Sequence, residues 1–311
     1  MKVFAAYNSD GQVRRESSAG GVFSVLAQRI ISEGGVVYGA AFDDNCRVVH
    51  RRVETLENLE TLRRSKYAFS HLGSAIKDAV RDLQEGRKVL FCSVPCQVAA
   101  MRKLGGDHPN LLCVEVVCHG APHPDYWQRY ICELCKELNH KLSDIESINF
   151  RDKRTGWKNY SFSVKFNDGT EFAQLRKDNL FMKMFLSDYI LREPCYNCLF
   201  KYPSGSHADI TLGDLWGIEH IAPEINNDLG TTLVICRTEK GIEAGNHLEN
   251  VVEIDFEGAA KYNPALISSA KKPLGYKIFK RMDKRSSSAI KLFKATILMN
   301  KVLRRLKRVI P

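Results

Sequence analysis

The segment Lys88-Val-Leu-Phe-Cys-Ser-Val-Pro-Cys-Gln97 decides how this chain folds. Residues 88–92 form an apolar run of strand length, residues 93–97 have the composition of a turn, and residues 97–104 have helical spacing. A strand that passes through a short turn into a helix is the repeating unit of α/β folds. The segment therefore predicts a strand inside a sheet, with Cys96 near the N-terminus of the following helix.

The same alternation continues on both sides of this segment. Apolar runs at residues 2–8, 36–42 and 111–117 predict strands, and helices are predicted after Gly21 and over residues 74–84. Strands that alternate with helices predict an α/β fold whose core is a mixed, largely parallel sheet.

The sequence changes texture near residue 145. Runs at residues 148–152, 161–166 and 170–172 alternate with period two, and Asn167-Asp-Gly169 predicts a hairpin turn between the last two runs. Mixed strand and helix signals follow, so this part is predicted to be an α+β elaboration packed on the first.

Three parts of the chain are predicted from these changes. They are an α/β part over residues 1–143, an α+β part over residues 144–270 and a basic tail over residues 271–311. The α+β part includes two further predicted strands, at residues 208–213 and 231–237.

The basic tail carries the excess positive charge of the chain. Residues 271–311 hold 14 Lys and Arg residues and one acid, Asp283, so the remainder has a formal charge of −3 while the whole chain has +10. Residues 289–307 place apolar and basic side chains on opposite faces, which predicts a basic amphipathic C-terminal helix. Such a helix rests on an anionic membrane surface or packs on the domain as a solvated end, and both interpretations stay open.

The compartment is inferred from the ten cysteines and the N-terminus. No apolar signal region follows Met1, and no stretch approaches the roughly 20 apolar residues that span a bilayer. The cysteines are therefore expected to be reduced thiols in a cytoplasmic protein, peripheral at the inner membrane surface if the tail binds lipid.

Four cysteines stand out as candidate metal ligands. Cys96 and Cys118 each follow a predicted strand, where α/β sheets place their ligands, and Cys195 and Cys198 form a C-x-x-C pair in a turn-rich segment. The helix N-terminus is expected to favour a thiolate at Cys96. Four thiolates suit an iron–sulfur cluster, but they also suit tetrahedral zinc, so the spacing leaves the metal open.

The other cysteines are predicted to be structural. Cys132 and Cys135 also have C-x-x-C spacing, but they lie on a predicted amphipathic helix with an apolar stripe. The remaining four lie in or beside apolar strands and are expected to be inert: Cys46, Cys92, Cys113 and Cys236.

Two further segments are candidates for ligand binding. The loop Ser17-Ser-Ala-Gly-Gly21 precedes a helix, so it either holds a phosphate on backbone N–H groups or is a plain N-cap. Lys66, Tyr67 and Ser70 either contact a flavin or form an exposed amphipathic turn. His119 is a candidate catalytic residue, either as a proton donor or as a hydrogen-bond partner that positions another group.

Eight short motifs occur in order along the chain: Ser17-Ser-Ala-Gly-Gly-Val-Phe-Ser24, Gly34-Gly-Val-Val-Tyr-Gly39, Ser65-Lys-Tyr-Ala-Phe-Ser70, Pro95-Cys-Gln97, Cys118-His-Gly120, Phe150-Arg-Asp152, Cys195-Tyr-Asn-Cys198 and Ala208-Asp-Ile-Thr-Leu-Gly-Asp-Leu-Trp-Gly217. On these motifs the chain resembles the beta-subunit family of coenzyme F420 hydrogenase/dehydrogenase. The likeness covers residues 3–240, and it is greatest to bacterial members associated with surface-polysaccharide gene sets.

This resemblance implies an oxidoreductase with two cofactors. Cys96, Cys118, Cys195 and Cys198 match the family's ligands of a 4Fe-4S cluster, which favours iron–sulfur over zinc. The family's FAD site is carried over to a set of small and polar residues: Ser18, Gly20, Gly21, Lys66, Tyr67, Gln97, Gly213 and Asp214. The implied function is electron transfer between a hydride carrier, such as reduced coenzyme F420 or another two-electron donor or acceptor, and a one-electron partner.

The chain starts after the position of the ferredoxin module that many bacterial relatives carry. Its expected partners are therefore a separate ferredoxin-like protein or redox subunit and a small-molecule hydride donor or acceptor. The alternative from another class is a non-enzymatic scaffold that zinc stabilises at the same four thiolates, with a basic arm that binds nucleic acid, membrane or a protein. The tail has no interleaved aromatic residues for base stacking, so specific nucleic-acid recognition is not expected.

Overall fold

The computed structural model describes residues 1–202 and 205–309, with side chains as far as residue 306. Its strands form two separate sheets. The strands are β1 (Lys2–Ala6), β2 (Val36–Phe42), β3 (Val48–Val53), β4 (Val89–Ser93), β5 (Leu111–Val116), β6 (Ile145–Asp152), β7 (Ser161–Phe166), β8 (Glu171–Leu175), β9 (Ile210–Asp214), β10 (Thr232–Cys236) and β11 (Val251–Glu253).

Helices pack on both faces of the larger sheet and against the smaller sheet. They are α1 (Gly11–Glu16), α2 (Val22–Ser32), α3 (Ala75–Gln84), α4 (Pro95–Gly105), α5 (Pro124–Glu137), α6 (Leu180–Leu186), α7 (Ile218–Ile221), α8 (Glu239–Gly245), α9 (Phe256–Tyr262), α10 (Tyr276–Asp283) and α11 (Ala289–Val309).

The larger sheet has the strand order β11-β1-β10-β9-β5-β4-β2-β3. Its centre is parallel, because β2, β4, β5 and β9 pair in the same direction. The outer pairings of β1, β10, β11 and β3 are antiparallel. The predicted class, a mixed α/β sheet core with an α+β elaboration and a C-terminal helix, is confirmed.

The parallel centre follows from the apolar strands that the sequence predicts. Every residue of β4 is buried, as are the first five residues of β5, because helices cover both faces of a parallel sheet. The structure adds β3, which pairs antiparallel with β2. This strand was not predicted because it contains no apolar run: its inner residues are His50, Arg51 and Arg52. An edge strand tolerates such polar side chains.

The larger sheet takes strands from both halves of the chain. Strands β9 and β10 come from the part predicted over residues 144–270, yet β9 lies directly beside β5. Strands β6, β7 and β8 form the antiparallel smaller sheet by themselves. The division into parts at residue 143 stays a prediction.

Helix α11 has one anchored half and one exposed half. Its first residues pack into an aromatic core with α5 and α6, where Phe293 is fully buried. The Glu133 carboxylate of α5 accepts hydrogen bonds from the N–H groups of Ala289 and Ile290, at 2.7 and 3.0 Å, and so caps the start of the helix. Residues 310 and 311 of the predicted tail lie outside the described residues.

None of the helices formed by residues 1–202 and 205–309 has the length and apolar character that a membrane-spanning segment needs.

Candidate functional site

Cys96 lies in the first turn of α4. The helix begins at Pro95, two residues before the predicted start, because proline suits the first helical position, where its missing N–H costs nothing. Burial raises the pKa of the Cys96 thiol, and the nearby thiols of Cys195 and Cys198 raise it further. A hydrogen bond with the backbone of this first turn lowers the pKa, but burial has the larger effect, and a thiolate favoured by the helix N-terminus stays a prediction.

Cys118 follows β5 by two residues. Its carbonyl oxygen accepts a hydrogen bond of 2.7 Å from Lys201 Nζ, which also donates to the carbonyl of Ala265 at 2.6 Å. Lys201 therefore ties the end of β5 to the loop before α10. Burial raises the pKa of the Cys118 thiol to about 12; Cys195 and Cys96 add to this rise, whereas the Lys201 charge opposes it.

Cys195 lies on a short 3-10 helix, Glu193–Asn197, and Cys198 directly follows this helix. The Cys195 sulfur accepts a hydrogen bond from the N–H of Ala121 at 3.4 Å, and the N–H of Cys198 donates to Ser269 Oγ at 2.9 Å. Gly120 makes the first contact feasible: its φ is +146°, and a Cβ there would lie 2.7 Å from Leu191 Cδ1 and 3.5 Å from the Cys195 Cβ. The Cys118-His-Gly120 motif thus approaches the C-x-x-C segment closely.

The four predicted ligands converge from three segments of the chain. Cys96 lies within electrostatic range of Cys195 and Cys198, and Cys118 lies within range of Cys96 and Cys195. All four are free cysteines, and four sulfur donors are the set that an iron–sulfur or zinc centre requires. Over the described part of the chain, no three or more His, Cys, Asp or Glu side chains are already arranged to hold a metal ion. The four sulfur donors suit a metal centre by their chemistry, and the fold brings them into electrostatic range of one another.

The remaining cysteines lie elsewhere. Cys135 of α5 is buried in the aromatic core, and Cys132 on the same helix contacts Gln128. The four in or beside strands are buried: Cys46, Cys92, Cys113 and Cys236.

His119 lies beside the thiols and is held by a carboxylate. Its Nε2 is 2.5 Å from Asp188 Oδ1, and its ring packs edge-on against Phe185 with the centroids 5.7 Å apart. The Asp188 carbonyl accepts a hydrogen bond from the Tyr196 hydroxyl, between the two cysteines of the C-x-x-C pair. This chain of contacts positions His119 next to the C-x-x-C segment.

Ser18, Gly20 and Gly21 precede α2, as predicted. The Ser18 hydroxyl oxygen accepts bonds from the N–H and hydroxyl of Ser65, at 2.8 and 2.9 Å, which joins this loop to the segment that carries Lys66. A Cβ at Gly20 would lie 2.5 Å from the Ala6 carbonyl oxygen, so glycine is required for close packing on β1. Gly21 has a φ of +84° and forms the N-cap of α2 without a side-chain cap.

Lys66 and Tyr67 lie on the same segment but have different surroundings. Lys66 Nζ donates to the carbonyls of Thr61 and Arg63, and burial lowers its pKa to about 7. The Tyr67 ring packs between Phe150 and Phe185, with centroid distances of 5.4 and 4.7 Å. Because Phe185 also contacts His119, Tyr67 and the predicted catalytic histidine share one aromatic neighbour.

Gln97, the residue after Cys96, has a buried side chain. Its amide donates to the Ser70 carbonyl at 2.8 Å, and its oxygen accepts from Ser93 Oγ at 2.5 Å. Ser70 Oγ is in turn 2.5 Å from His50 Nδ1. Gln97 therefore connects the start of α4 to the Lys66 segment.

Gly213 and Asp214 end β9. A Cβ at Gly213 would lie 2.6 Å from a methyl carbon of Val117, so glycine allows close contact with the residue before Cys118. Asp214 forms an ion pair with Arg151 and accepts a hydrogen bond of 3.2 Å from the Trp157 indole N–H.

Three basic residues near these positions, one buried and two half-buried, were missed by the sequence analysis. Arg151 pairs with Asp214, and His50 joins the Gln97 network. Lys153 Nζ donates to the carbonyls of Arg14, Ala19 and Leu229, and burial lowers its pKa to about 7. The only available signal was the Phe150-Arg-Asp152 motif, to which no role was given.

Two surface grooves lie away from these residues. One, of about 520 Å³, is lined by residues that include Arg102, His207 and Arg237, and the other, of about 200 Å³, lies between α6 and α11. Neither is lined by a predicted site residue. The chemistry at the strand ends, rather than groove size, therefore defines the candidate site.

The molecule is thus a mixed α/β protein whose candidate site lies at the carboxyl ends of parallel strands, where this class binds ligands. Residues 86–261 match the family described as the C terminus of the coenzyme F420 hydrogenase/dehydrogenase beta subunit. The match covers more than half of the 311 residues, and the chain belongs to this family. The family is one of oxidoreductases.

A solved structure supports the fold over nearly the whole chain. It is a chain of the F420-reducing [NiFe] hydrogenase complex from Methanosarcina barkeri, in a xenon-derivatised form, with a TM-score of 0.54 and 18% sequence identity. The likeness covers 97% of this chain and 93% of that chain. Comparison with curated proteins finds no match.

Proposed function

We propose that this oxidoreductase depends on FAD and a 4Fe-4S cluster and transfers electrons between a hydride carrier and a one-electron partner. The observation that carries the proposal is the convergence of Cys96, Cys118, Cys195 and Cys198 beside the residues expected to bind flavin. Membership of a hydrogenase/dehydrogenase family supports it. When bound, FAD supplies hydride chemistry and the cluster supplies single-electron transfer.

In this proposal the four thiols hold the cluster and the neighbouring groups position them. Lys201 holds the Cys118 backbone, and the Ala121 N–H donates to the Cys195 sulfur. Hydrogen bonds to ligating sulfur atoms tune a cluster's potential, so this N–H is the group expected to do so here. Asp188 orients His119, which serves as a proton donor or as a positioning residue.

The flavin is proposed to lie against the surface that the Ser17–Gly21 loop and the adjoining Lys66 segment form together. Ser18 and Gly21 lie at the N-terminus of α2, which suits a phosphate, while Gly20 shapes the loop with its N–H bonded to Thr232 Oγ1. The half-buried Tyr67 ring offers aromatic contact. Gln97, through its bond to Ser70, and Asp214, through its ion pair with Arg151, border the same region.

The cofactors are tested by purifying the full chain anaerobically. We expect a yellow-brown protein with FAD and about four irons per chain, because four thiolates hold one 4Fe-4S cluster. Cys195→Ser should abolish the cluster absorbance and most of the iron while circular dichroism stays unchanged. Cys135→Ser, which alters a buried cysteine of the aromatic core, is the matched control and should keep the iron.

Two results would contradict the proposal. One is a colourless protein that holds zinc when it is purified from iron-replete anaerobic cells, as the scaffold alternative requires. The other is equal iron content in the Cys195→Ser and Cys135→Ser proteins.

The one-electron partner is proposed to dock over the C-x-x-C segment. Leu199, directly after Cys198, is 78% exposed, and Ile267 on the adjoining loop is 49% exposed. Lys271 and Lys272 are exposed on the same loop, which hydrogen-bonds to Cys198 through Ser269. Exposed apolar residues bordered by lysines suit an acidic, ferredoxin-like protein or redox subunit, because charge complementarity steers association.

A second contact is proposed for the exposed half of α11. This half exposes three apolar residues that are spaced four positions apart: Leu298, Val302 and Leu306. The charged side chains described on the same helix are all basic. This stripe suits the anionic inner surface of the cytoplasmic membrane. Such a location fits the proposed role in polysaccharide biosynthesis, which rests on the resemblance alone.

A further inference from the structure

The buried Arg151 and the half-buried Arg176 have buried hydrogen-bond donors without acceptors. Within residues 1–202 and 205–306, five buried side-chain polar atoms have no partner, and three belong to these arginines: Nε and Nη2 of Arg151 and Nε of Arg176. Buried guanidinium N–H groups are almost always satisfied, because an unpaired one loses its hydration without compensation. Three such donors point to an acceptor that binds from outside the chain.

The two guanidinium groups belong to one cluster. Both lie over the Tyr160 ring, with the Arg151 Cζ 4.5 Å and the Arg176 Cζ 5.4 Å from its centroid. Arg151 comes from the end of β6, and Arg176 directly follows β8, so the smaller sheet presents both. The two guanidinium groups therefore share one aromatic neighbour.

The charge of the cluster favours an anion. Arg151 is only 4% exposed and pairs with one carboxylate, that of Asp214. Lys153 lies close enough for the Arg151 charge to lower its pKa. Two acidic side chains, Asp214 and Asp228, therefore face four basic ones, because Arg14 also lies within electrostatic range of Lys153, so a negatively charged acceptor would complete the balance.

We propose that Arg151 and Arg176 bind a phosphoryl group of a redox ligand. Guanidinium groups donate in a planar fork that matches phosphoryl oxygens, and two of them surround the group better than one. The assignment to a redox ligand rests on the proposed function, because Asp214 and the Tyr67 neighbourhood border the cluster. The phosphoryl group comes either from the bound flavin dinucleotide or from a diffusible hydride carrier.

The test measures binding of inorganic pyrophosphate to the flavin-free full chain by calorimetry. We expect one site, weakened at least about tenfold in Arg176→Gln, because a charge-assisted hydrogen bond contributes that much. Arg151→Lys keeps the charge beside Asp214 and should weaken binding similarly, since lysine cannot donate as a fork. Arg154→Gln is the matched control: Arg154 follows the same strand but is exposed and paired with Asp152 and Glu171, so its loss should leave the affinity within twofold.

A second arm repeats the titration with FAD-loaded protein. If FAD blocks pyrophosphate and Arg176→Gln retains less FAD, the flavin supplies the phosphoryl group. If FAD-loaded protein still binds pyrophosphate, the hydride carrier supplies it, and both outcomes support the site. Absence of pyrophosphate binding, or equal affinities in Arg176→Gln and Arg154→Gln, overturns it. A protein that binds pyrophosphate through Arg176 but never contains FAD or iron would keep this site and refute the proposed function.

Discussion

Gly120 sets the distance between two of the proposed cluster-binding segments. Its backbone is in the φ region that favours glycine, and an added Cβ would meet Leu191 at 2.7 Å. Gly120→Ala should therefore lower the free energy of unfolding by about 1–3 kcal/mol through backbone strain. It should also lower the iron content of anaerobically purified protein, because the added Cβ would also contact the Cβ of Cys195, a proposed cluster ligand. Urea unfolding and iron analysis measure the two effects.

Gly11→Ala is the control for this substitution. No atom lies within 4 Å of a Cβ built at Gly11, which starts α1. Its unfolding free energy should stay within about 0.5 kcal/mol of the parent or rise slightly, since alanine favours helices. Equal stability and iron content in both variants would show that Gly120 does not control the site.

His50 should make the protein sensitive to mild acid. Burial lowers its pKa to about 4, so the folded protein keeps it neutral while the unfolded chain binds a proton below about 6.5. The unfolded state then binds more protons, and stability falls as pH drops from 6.5 to 4. The loss should amount to about 2–3 kcal/mol, which follows from the shift in pKa.

The measurement compares His50→Gln with the parent by urea unfolding at pH 7 and pH 4.5. The variant should lose less stability between these pH values than the parent, although it starts from a lower value because the contact with Ser70 is disturbed. Parallel losses in the two proteins would assign the acid sensitivity to other groups.

At the scale of residues, the sequence signals are most specific for the cysteines. The C-x-x-C spacing and the strand-end positions selected Cys96, Cys118, Cys195 and Cys198, and the structure places these four near one another. Arg151 could not be selected in this way. Its importance lies in burial and in unpaired donors, which depend on neighbours distant in the chain.

At the scale of elements, α11 divides its apolar residues between two environments. Phe293 is fully buried, whereas Leu298 is 64% exposed. The double variant Leu298→Ser, Val302→Ser should keep its fold and lose at least about tenfold in affinity for vesicles with anionic lipid, because burial of these side chains drives insertion. Vesicle flotation measures the affinity.

Leu104→Ser is the matched control, because Leu104 on α4 is also 64% exposed. Its vesicle binding should equal that of the parent protein. Added salt should weaken binding by the parent, since the basic side chains act through screened charges. Binding that is insensitive to salt and to both changes would contradict a role for α11 at the membrane.

Element boundaries show where local signals suffice. Strand β2 spans the predicted residues 36–42, because the apolar run is bounded by Gly34-Gly35 before it and by the polar residues Asp43-Asp-Asn45 after it. Helix α4 starts two residues earlier than predicted, because Pro95 was assigned to a turn. The hairpin turn at Asn167-Asp-Gly169 was predicted correctly from its residue types, which favour positive φ.

At the scale of the whole molecule, the larger sheet depends on both halves of the chain. Strand β9 pairs with β5, and β1 pairs with β10 and β11. A fragment of residues 1–143 would therefore expose one edge of β5 and leave β1 without its neighbours. We expect it to aggregate or to unfold without a cooperative transition when followed by circular dichroism in urea.

Co-expression with residues 144–311 should restore soluble, cooperatively folded protein, because the missing strands are then supplied in trans. A fragment 1–143 that unfolds cooperatively alone would show instead that the N-terminal part is an independent domain.

Local sequence was enough to predict the α/β class and the C-terminal helix and to select four cysteines as candidate metal ligands, because strand length, helical spacing and C-x-x-C pairs involve residues close in the chain. Tertiary structure alone placed β9 beside β5, brought Arg151 to Asp214 and Arg176 to the same tyrosine, and separated α11 into buried and exposed halves. These features depend on contacts between distant segments and on the burial they create, and neither can be read from the order of residues.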